Sequence, residues 1–191
     1  TSFFRDPAVW DQIESDVMPA LLAMRPEGGV LRAWVPGCST SEEAYGLAMV
    51  FKEAIEAASP RTSLKLQIFV TDLDKTAIDV ARSGVYPPGI AADVPEQRLR
   101  RFSTEEGRGR GYRVSTEIRE MVVFAPQNVA IDPPFTRMDL LSCRNLLTYL
   151  EPELQQKLIA LFHYSLNPNG VLLLGSAETV GHAAELFAPW N

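Results

Sequence analysis

The chain has 191 residues, of which 46% are hydrophobic, 9% aromatic and 22% charged. This composition is typical of one globular domain and excludes disordered, collagenous and coiled-coil classes. The sequence holds no uncharged apolar run of about 18 residues and no basic-then-apolar leader, so we expect no membrane insertion and a cytoplasmic location. A formal net charge of −6 argues against nucleic acid as a partner, because phosphate-binding surfaces are usually basic. The two cysteines lack CxxC spacing, which predicts buried thiols and no metal site.

Apolar runs alternate with helical stripes along the chain, which is the pattern of an α/β fold with a mostly parallel sheet covered by helices. The predicted strands are Leu31–Val35, Leu64–Val70, Met138–Cys143 and Val171–Leu174. The predicted helices cover 44–58, Lys75–Ser83 and Glu151–Leu166. In the common doubly wound order the first strand and the strand at Met138 lie side by side, and ligands bind beyond the carboxyl ends of the strands.

Residues 87–127 break this rhythm, because prolines, glycines and arginines crowd a stretch with only short strand candidates at Gly111–Ser115 and Met121–Ala125. We interpret 87–127 as an inserted antiparallel β-subdomain. Seven arginines stand against three glutamates between 98 and 119, a local balance of +4. Such a run is either a solvated surface loop or a docking surface for an acidic partner.

Polar residues follow three of the predicted strands. The first strand runs into the small-residue loop Gly37–Ser41, which leads into a helix N-terminus that favours anionic groups. Asp72 ends the second strand, where a carboxylate can bind ribose hydroxyls or instead cap the next helix. Glu43 has two alternative roles. It either closes a capping box at the start of the helix or offers its carboxylate to a ligand ammonium. Residues 142–149 gather an arginine, an amide and a phenol just past a buried strand, a pattern that favours a site.

The segment Asp132-Pro133-Pro134-Phe135 is similar to a signature of amino-methyltransferases that act on nucleic-acid bases. In those enzymes the signature follows the fourth strand of the sheet. Here it precedes the strand at Met138, so we interpret it as a turn, in agreement with the acidic net charge.

Six segments taken together resemble the CheR family, whose members use S-adenosylmethionine (SAM) to esterify glutamates on chemotaxis receptors. The segments are Thr1–Arg5, Gly37–Tyr45, Thr71–Asp74, Ala81–Tyr86, Asn128–Val129 and Cys143–Tyr149. Residues 142–155 and 175–180 look most like versions found in hybrids that fuse the methylesterase and the methyltransferase of this pathway.

The resemblance implies a Rossmann-like SAM-dependent methyltransferase with a small β-subdomain that can dock a receptor tail, and S-adenosylhomocysteine as the product. It implies Arg5 and Tyr149 as catalytic residues that face the methyl group and the substrate carboxylate. The implied cofactor-binding residues are Thr1, Arg5, Gly37, Glu43, Asp72, Asn128, Val129, Arg144 and Asn145.

Three departures from the family pattern accompany the resemblance. Ser41 stands where the family has glycine, so its side chain either crowds the methionine moiety or adopts a backbone angle that serine disfavours. The helical domain that precedes Thr1 in the family, and the last strand at the sheet edge, lie outside this sequence. The alternative function is therefore a degenerate module that binds SAM, its product or a signalling partner without activity.

Overall fold

A computed structural model describes residues 2–26, 28–58 and 63–190. Its main sheet has five strands in the order β6-β2-β1-β7-β8, and every neighbouring pair is parallel. The strands are β1 Val30–Pro36, β2 Lys65–Asp72, β6 Val122–Pro126, β7 Met138–Cys143 and β8 Leu166–Leu174. The predicted strands and the adjacency of β1 and β7 are confirmed, and β8 starts five residues earlier than predicted. All five carboxyl ends consequently meet at one edge.

Helices cover both faces of this sheet. In β1 the side chains of Ala33 and Val35 enter one buried apolar cluster and that of Trp34 enters another, because alternate residues of a strand face opposite sides. The first cluster also contains side chains of the N-terminal helical segment and of α3, Glu42–Ala58. The second contains side chains of α7, Pro152–Ser165. The helices are α1 Pro7–Gln12, α2 Met18–Ala23, α3 Glu42–Ala58, α4 Lys75–Ser83, α5 Glu96–Phe102, α6 Thr116–Arg119 and α7 Pro152–Ser165.

A widened π turn, Ile13–Val17, joins α1 to α2. It ends two residues before Pro19, which has no N–H and whose ring would meet the carbonyl of Ser15 in a regular helix. The wider turn accommodates the proline, so Trp10 and Leu21 can both reach the first apolar cluster. Trp10 lies over Gly46 of α3, where a Cβ would be 2.8 Å from the indole ring.

The antiparallel insert is a three-stranded sheet in the order β3-β5-β4, and it begins at Val85, two residues before the predicted bounds 87–127. Its strands are β3 Val85–Tyr86, β4 Ser103–Glu105 and β5 Tyr112–Val114. The predicted strand at Met121–Ala125 was wrongly assigned to this insert, since β6 pairs in parallel with β2, with Val122 opposite Ile68. The periodicity of a short β-branched run does not indicate which of the two sheets the strand joins. Only its pairing with a distant strand assigns it to one sheet.

Candidate functional site

The ends of β1 and β2 are joined directly by hydrogen bonds. The Cys38 N–H donates to the Thr71 carbonyl at 3.1 Å, and the Ser39 N–H donates to Asp72 Oδ2 at 2.7 Å. The Asp72 carboxylate also accepts the Asp74 N–H at 2.9 Å. Asp72 therefore anchors the loop Gly37–Ser41, and its predicted binding of ribose hydroxyls stays a prediction.

The capping role considered for Asp72 belongs to Asp74. The Asp74 carboxylate accepts the Thr76 N–H at 2.8 Å and lies at the N-cap of α4. Two large apolar side chains that the sequence reasoning missed follow neighbouring strands at this edge: Leu73 is 70% exposed after β2, and Ile131 is 80% exposed after β6. They supply exposed apolar surface in the loops that follow β2 and β6.

Strained backbone conformations concentrate at this edge. Ser39 and Ser41 have φ angles of 49° and 67°, in the left-handed region that costs a non-glycine residue about 1–2 kcal/mol. Gly37 has φ 65°, and a Cβ there would be 2.8 Å from the Leu146 side chain. Strain of this kind persists where the surrounding structure enforces it, which is common at functional sites. Other positive-φ residues of the same edge are Phe4, Asp6 and Asn145.

Of the two consequences expected of Ser41, crowding of the methionine moiety or a disfavoured backbone angle, the structure shows the second. Ser41 adopts the disfavoured backbone angle, whereas its side chain is fully buried and thus points away from open solvent. Its hydroxyl has no hydrogen-bond partner of normal geometry in the part of the chain that the structure describes, and its weak interaction with the Cys38 thiol lowers the pKa of that thiol.

Glu43 does not close a capping box. Its carboxylate accepts the Ser142 hydroxyl and the Arg144 Nη1, the latter at 3.2 Å, while the neighbouring Glu42 accepts the Thr40 hydroxyl at 2.8 Å. Burial raises the pKa of Glu43, against the lowering effects of the Ser142 hydrogen bond and the Arg144 charge. Glu43 is therefore held by Ser142 and Arg144, and its role toward a ligand ammonium stays a prediction.

Arg144 ties three distant segments together. Its side chain is only 2% exposed and binds Glu43, Asp6 Oδ2 at 2.7 Å and the Arg5 carbonyl at 3.0 Å. The Arg5 side chain itself is exposed. Asp6 was missed by the sequence reasoning, because its partner lies 138 residues away.

Glu178 organises the two loops that follow β7 and β8. Its carboxylate accepts the N–H groups of Asn145, Leu147 and Gly175 at 2.7–2.8 Å. The sequence reasoning missed this residue as well, although a carboxylate shortly after β8 obeys the same strand-end rule that identified Asp72.

The remaining predicted site residues that the structure describes lie in the loops after β6 and β7. Asn128 Oδ1 accepts the Ala130 N–H at 3.0 Å, Val129 packs against the second apolar cluster, and Tyr149 is 84% exposed on the turn Leu147–Tyr149. Thr1 lies outside the described residues. Roles in cofactor binding or catalysis stay predictions for all of these positions.

The loop between β6 and β7 holds Asp132–Phe135, so the motif precedes β7. Asp132 accepts the Asn128 N–H at 2.7 Å, and Phe135 stacks on Phe69 with ring centroids 4.6 Å apart. The motif is thus a structural turn, as interpreted.

Both cysteines are free and buried. Burial raises the pKa of Cys38 to about 12 and that of Cys143 well above its usual value. Among residues 2–26, 28–58 and 63–190, no cluster of three histidine, cysteine or acidic side chains could hold a metal ion. No helix in those ranges is long and apolar enough to cross a membrane.

Most arginines of the insert are neutralised by acidic partners. Arg119 instead donates to the Val114 carbonyl, and Arg108 and Arg110 form no ion pair within the described ranges. The paired arginines are Arg98 with Glu14 and Glu53, Arg100 with Glu96, Arg101 with Glu56, and Arg113 with Glu106.

The sheet order and the polar strand ends define a Rossmann-like α/β fold. A solved structure, the CMeT domain of the citrinin polyketide synthase, aligns with 87% of this chain and 34% of that chain, at a TM-score of 0.51 and 18% identity. That likeness concerns the fold alone.

Residues 1–191 match the family described as CheR methyltransferase, SAM binding domain. The chain belongs to the CheR family. It is 34% identical to the "Putative methyltransferase Cher3" of Pseudomonas putida and 29% identical to the "Chemotaxis protein methyltransferase" of Borreliella burgdorferi, over 96% and 94% of this chain. It spans 66% and 64% of those proteins.

A third relative is the "Uncharacterized 104.1 kDa protein in hypE 3'region" of Rhodobacter capsulatus, which is 43% identical over 98% of this chain. The chain spans 19% of that protein.

Proposed function

We propose that this domain transfers a methyl group from SAM to glutamate side chains of chemotaxis receptors in the cytoplasm and forms glutamate methyl esters. The observation that carries the proposal is the pair of carboxylates at one sheet edge, Glu43 joined to Arg144 and Asp72 joined to the loop Gly37–Ser41. Membership of the CheR family supports the reaction class.

The chemistry of these side chains fits SAM. Glu43 offers a carboxylate to the cofactor's ammonium, and Asp72 offers one to the ribose hydroxyls. Leu73 and Ile131, the exposed apolar side chains beside them, suit a heterocyclic base. When bound, SAM supplies a methyl group on a sulfonium, and its transfer to a carboxylate yields a methyl ester and S-adenosylhomocysteine.

The protein's own contribution to this reaction is orientation and exclusion of water. A solvent-exposed glutamate has a pKa of about 4.3 and is already ionised at neutral pH, so no general base is required. Arg5 and Tyr149 have exposed side chains and can orient a carboxylate through a guanidinium and a phenol. Arg144, being buried, positions Arg5 through its main-chain carbonyl.

The insert is the proposed docking surface for a receptor tail. Its unpaired charges, Arg108 and Arg110, lie between β4 and β5, where the Gly109 N–H donates to Glu105 at 2.9 Å. Two neighbouring guanidiniums without acidic partners are free to bind an acidic segment.

The test of catalysis incubates the full-length protein with labelled SAM and receptor cytoplasmic fragments. Base-labile methyl esters should form, and Arg5→Ala and Tyr149→Phe should lower their rate, whereas Arg82→Ala on α4 should not. SAM binding without any ester would refute the enzyme and leave the non-catalytic binding module.

The test of docking compares two double charge reversals of equal size. Arg108→Glu with Arg110→Glu should weaken receptor-tail binding and leave SAM affinity unchanged. Arg82→Glu with Arg100→Glu, which alters the same net charge at other positions, should preserve tail binding. Equal tail affinity in both variants would make the arginine run a solvated loop.

A further inference from the structure

The segment Ala81–Tyr86 belongs to the family resemblance, yet none of the roles above uses it. Tyr86 lies on β3 of the antiparallel insert and is 3% exposed. Its hydroxyl leaves the insert and donates to the Thr40 carbonyl at 2.6 Å. The insert is thus bonded directly to the loop Gly37–Ser41.

Thr40, the loop residue that Tyr86 contacts, has a residue with strained backbone on each side. Thr40 lies between Ser39 and Ser41, the two serines with left-handed backbone angles. A conformation of this cost persists only when its surroundings restrain it. Asp72 restrains one side through the Ser39 N–H at 2.7 Å, and the Tyr86 hydroxyl restrains the other.

The ring of Tyr86 also contacts the N-terminal segment. Phe3 packs edge-on against it with ring centroids 4.9 Å apart, and Phe3 precedes Arg5 by two residues. One side chain of the insert therefore contacts both the loop Gly37–Ser41 and the segment that carries the proposed catalytic arginine.

The position of Tyr86 is set by the insert sheet. Tyr86 pairs with Tyr112 of β5, and the backbones are so close that a Cβ on Gly111 would lie 2.2 Å from the Tyr86 carbonyl. The backbone of β5 therefore fixes where Tyr86 lies.

We propose that Tyr86 is a positioning residue, which holds the loop Gly37–Ser41 in the conformation that binds SAM and links that loop to the antiparallel insert. The proposal rests on the proposed function in one respect, the assignment of this loop to the cofactor. Tyr86 acts through Thr40 and has no part in the chemical step.

A matched pair of variants tests the proposal. Tyr86→Phe removes the hydroxyl and keeps the ring that packs on Phe3. Tyr45→Phe removes an equivalent buried hydroxyl, which donates to the Ala81 carbonyl of α4 at 2.8 Å instead of to the loop. By calorimetry, Tyr86→Phe should raise the SAM dissociation constant about tenfold, the size of one buried hydrogen bond, and Tyr45→Phe should change it less than about twofold.

Hydrogen exchange provides a second measurement that needs no SAM. The Ser41 N–H donates to the Cys38 carbonyl at 2.8 Å and reports on the loop. Its exchange should be about tenfold faster in Tyr86→Phe than in Tyr45→Phe. Equal exchange, or equal SAM affinities in the two variants, would overturn the proposal. A wild-type protein that does not bind SAM would refute the proposed function, and the exchange comparison would still decide the role of Tyr86.

Discussion

Replacing Ser41 with glycine should stabilise the domain without improving its cofactor affinity. The φ of 67° costs a non-glycine residue about 1–2 kcal/mol, and a buried hydroxyl that bonds only weakly to the Cys38 thiol costs about 1 kcal/mol. Glycine adds unfolded-state entropy that removes about 0.5–1 kcal/mol of this gain. We therefore expect Ser41→Gly to raise the free energy of unfolding by about 1–2 kcal/mol.

Ser41→Ala is the control, because it removes the hydroxyl and keeps the strained Cβ. It should gain about 1 kcal/mol, and glycine should exceed it by the backbone contribution alone. Urea unfolding monitored by circular dichroism measures both differences, provided that the slope with denaturant is unchanged.

Calorimetric titration with SAM separates strain from steric crowding. Since the Ser41 side chain is fully buried, SAM affinity should change less than about twofold in either variant. A Ser41→Gly protein that is no more stable than wild type would refute the strain argument. A tenfold gain in SAM affinity would show instead that the serine crowds the cofactor, as the degenerate alternative requires.

Three further changes probe the site and its support. Burial raises the pKa of Glu43, so the native state binds the proton more tightly and the free energy of unfolding falls as pH rises from about 4.5 through the raised pKa. Glu43→Gln should remove this fall in urea titrations across pH. An unchanged dependence of the unfolding free energy on pH would contradict the argument. Gly46→Ala should cost about 1 kcal/mol in thermal unfolding, because overpacking against Trp10 exceeds the helix-propensity gain, and Trp10→Phe should make the loss smaller if the contact is the cause. Glu178→Gln weakens bonds to three N–H groups and should lower the free energy of unfolding by about 2 kcal/mol. Glu185→Gln, on the exposed turn Gly181–Leu186, should have no measurable effect on the urea midpoint.

The sequence predicted the parts of the site that depend on strand ends. Asp72 and the loop Gly37–Ser41 lie at the same edge because parallel strands align their carboxyl ends, and a strand can be recognised from its own residues. The order of β1 and β2 makes these two strand ends neighbours, whereas the hydrogen bond between them was found only in the structure.

Other features depend on partners far along the chain and leave no local signal. Asp6, Glu178 and Tyr86 bond to groups 138, 33 and 46 residues away. The assignment of β6 to the main sheet likewise required its pairing with β2. In the insert, composition shows the run of positive charge but not its partners, which are glutamates on the π turn Ile13–Val17, on α3 and within the insert itself.

The buried guanidinium of Arg144 has a consequence for how the domain folds. Its bonds to Asp6 and Glu43 close loops of 138 and 101 residues, and contacts of such sequence separation form only after a large loss of chain entropy. The polar site is therefore complete only when nearly the whole chain has reached its native arrangement. A ligand that needs this site binds the native state and not its partly folded precursors, so its concentration adds directly to the stability of the finished domain.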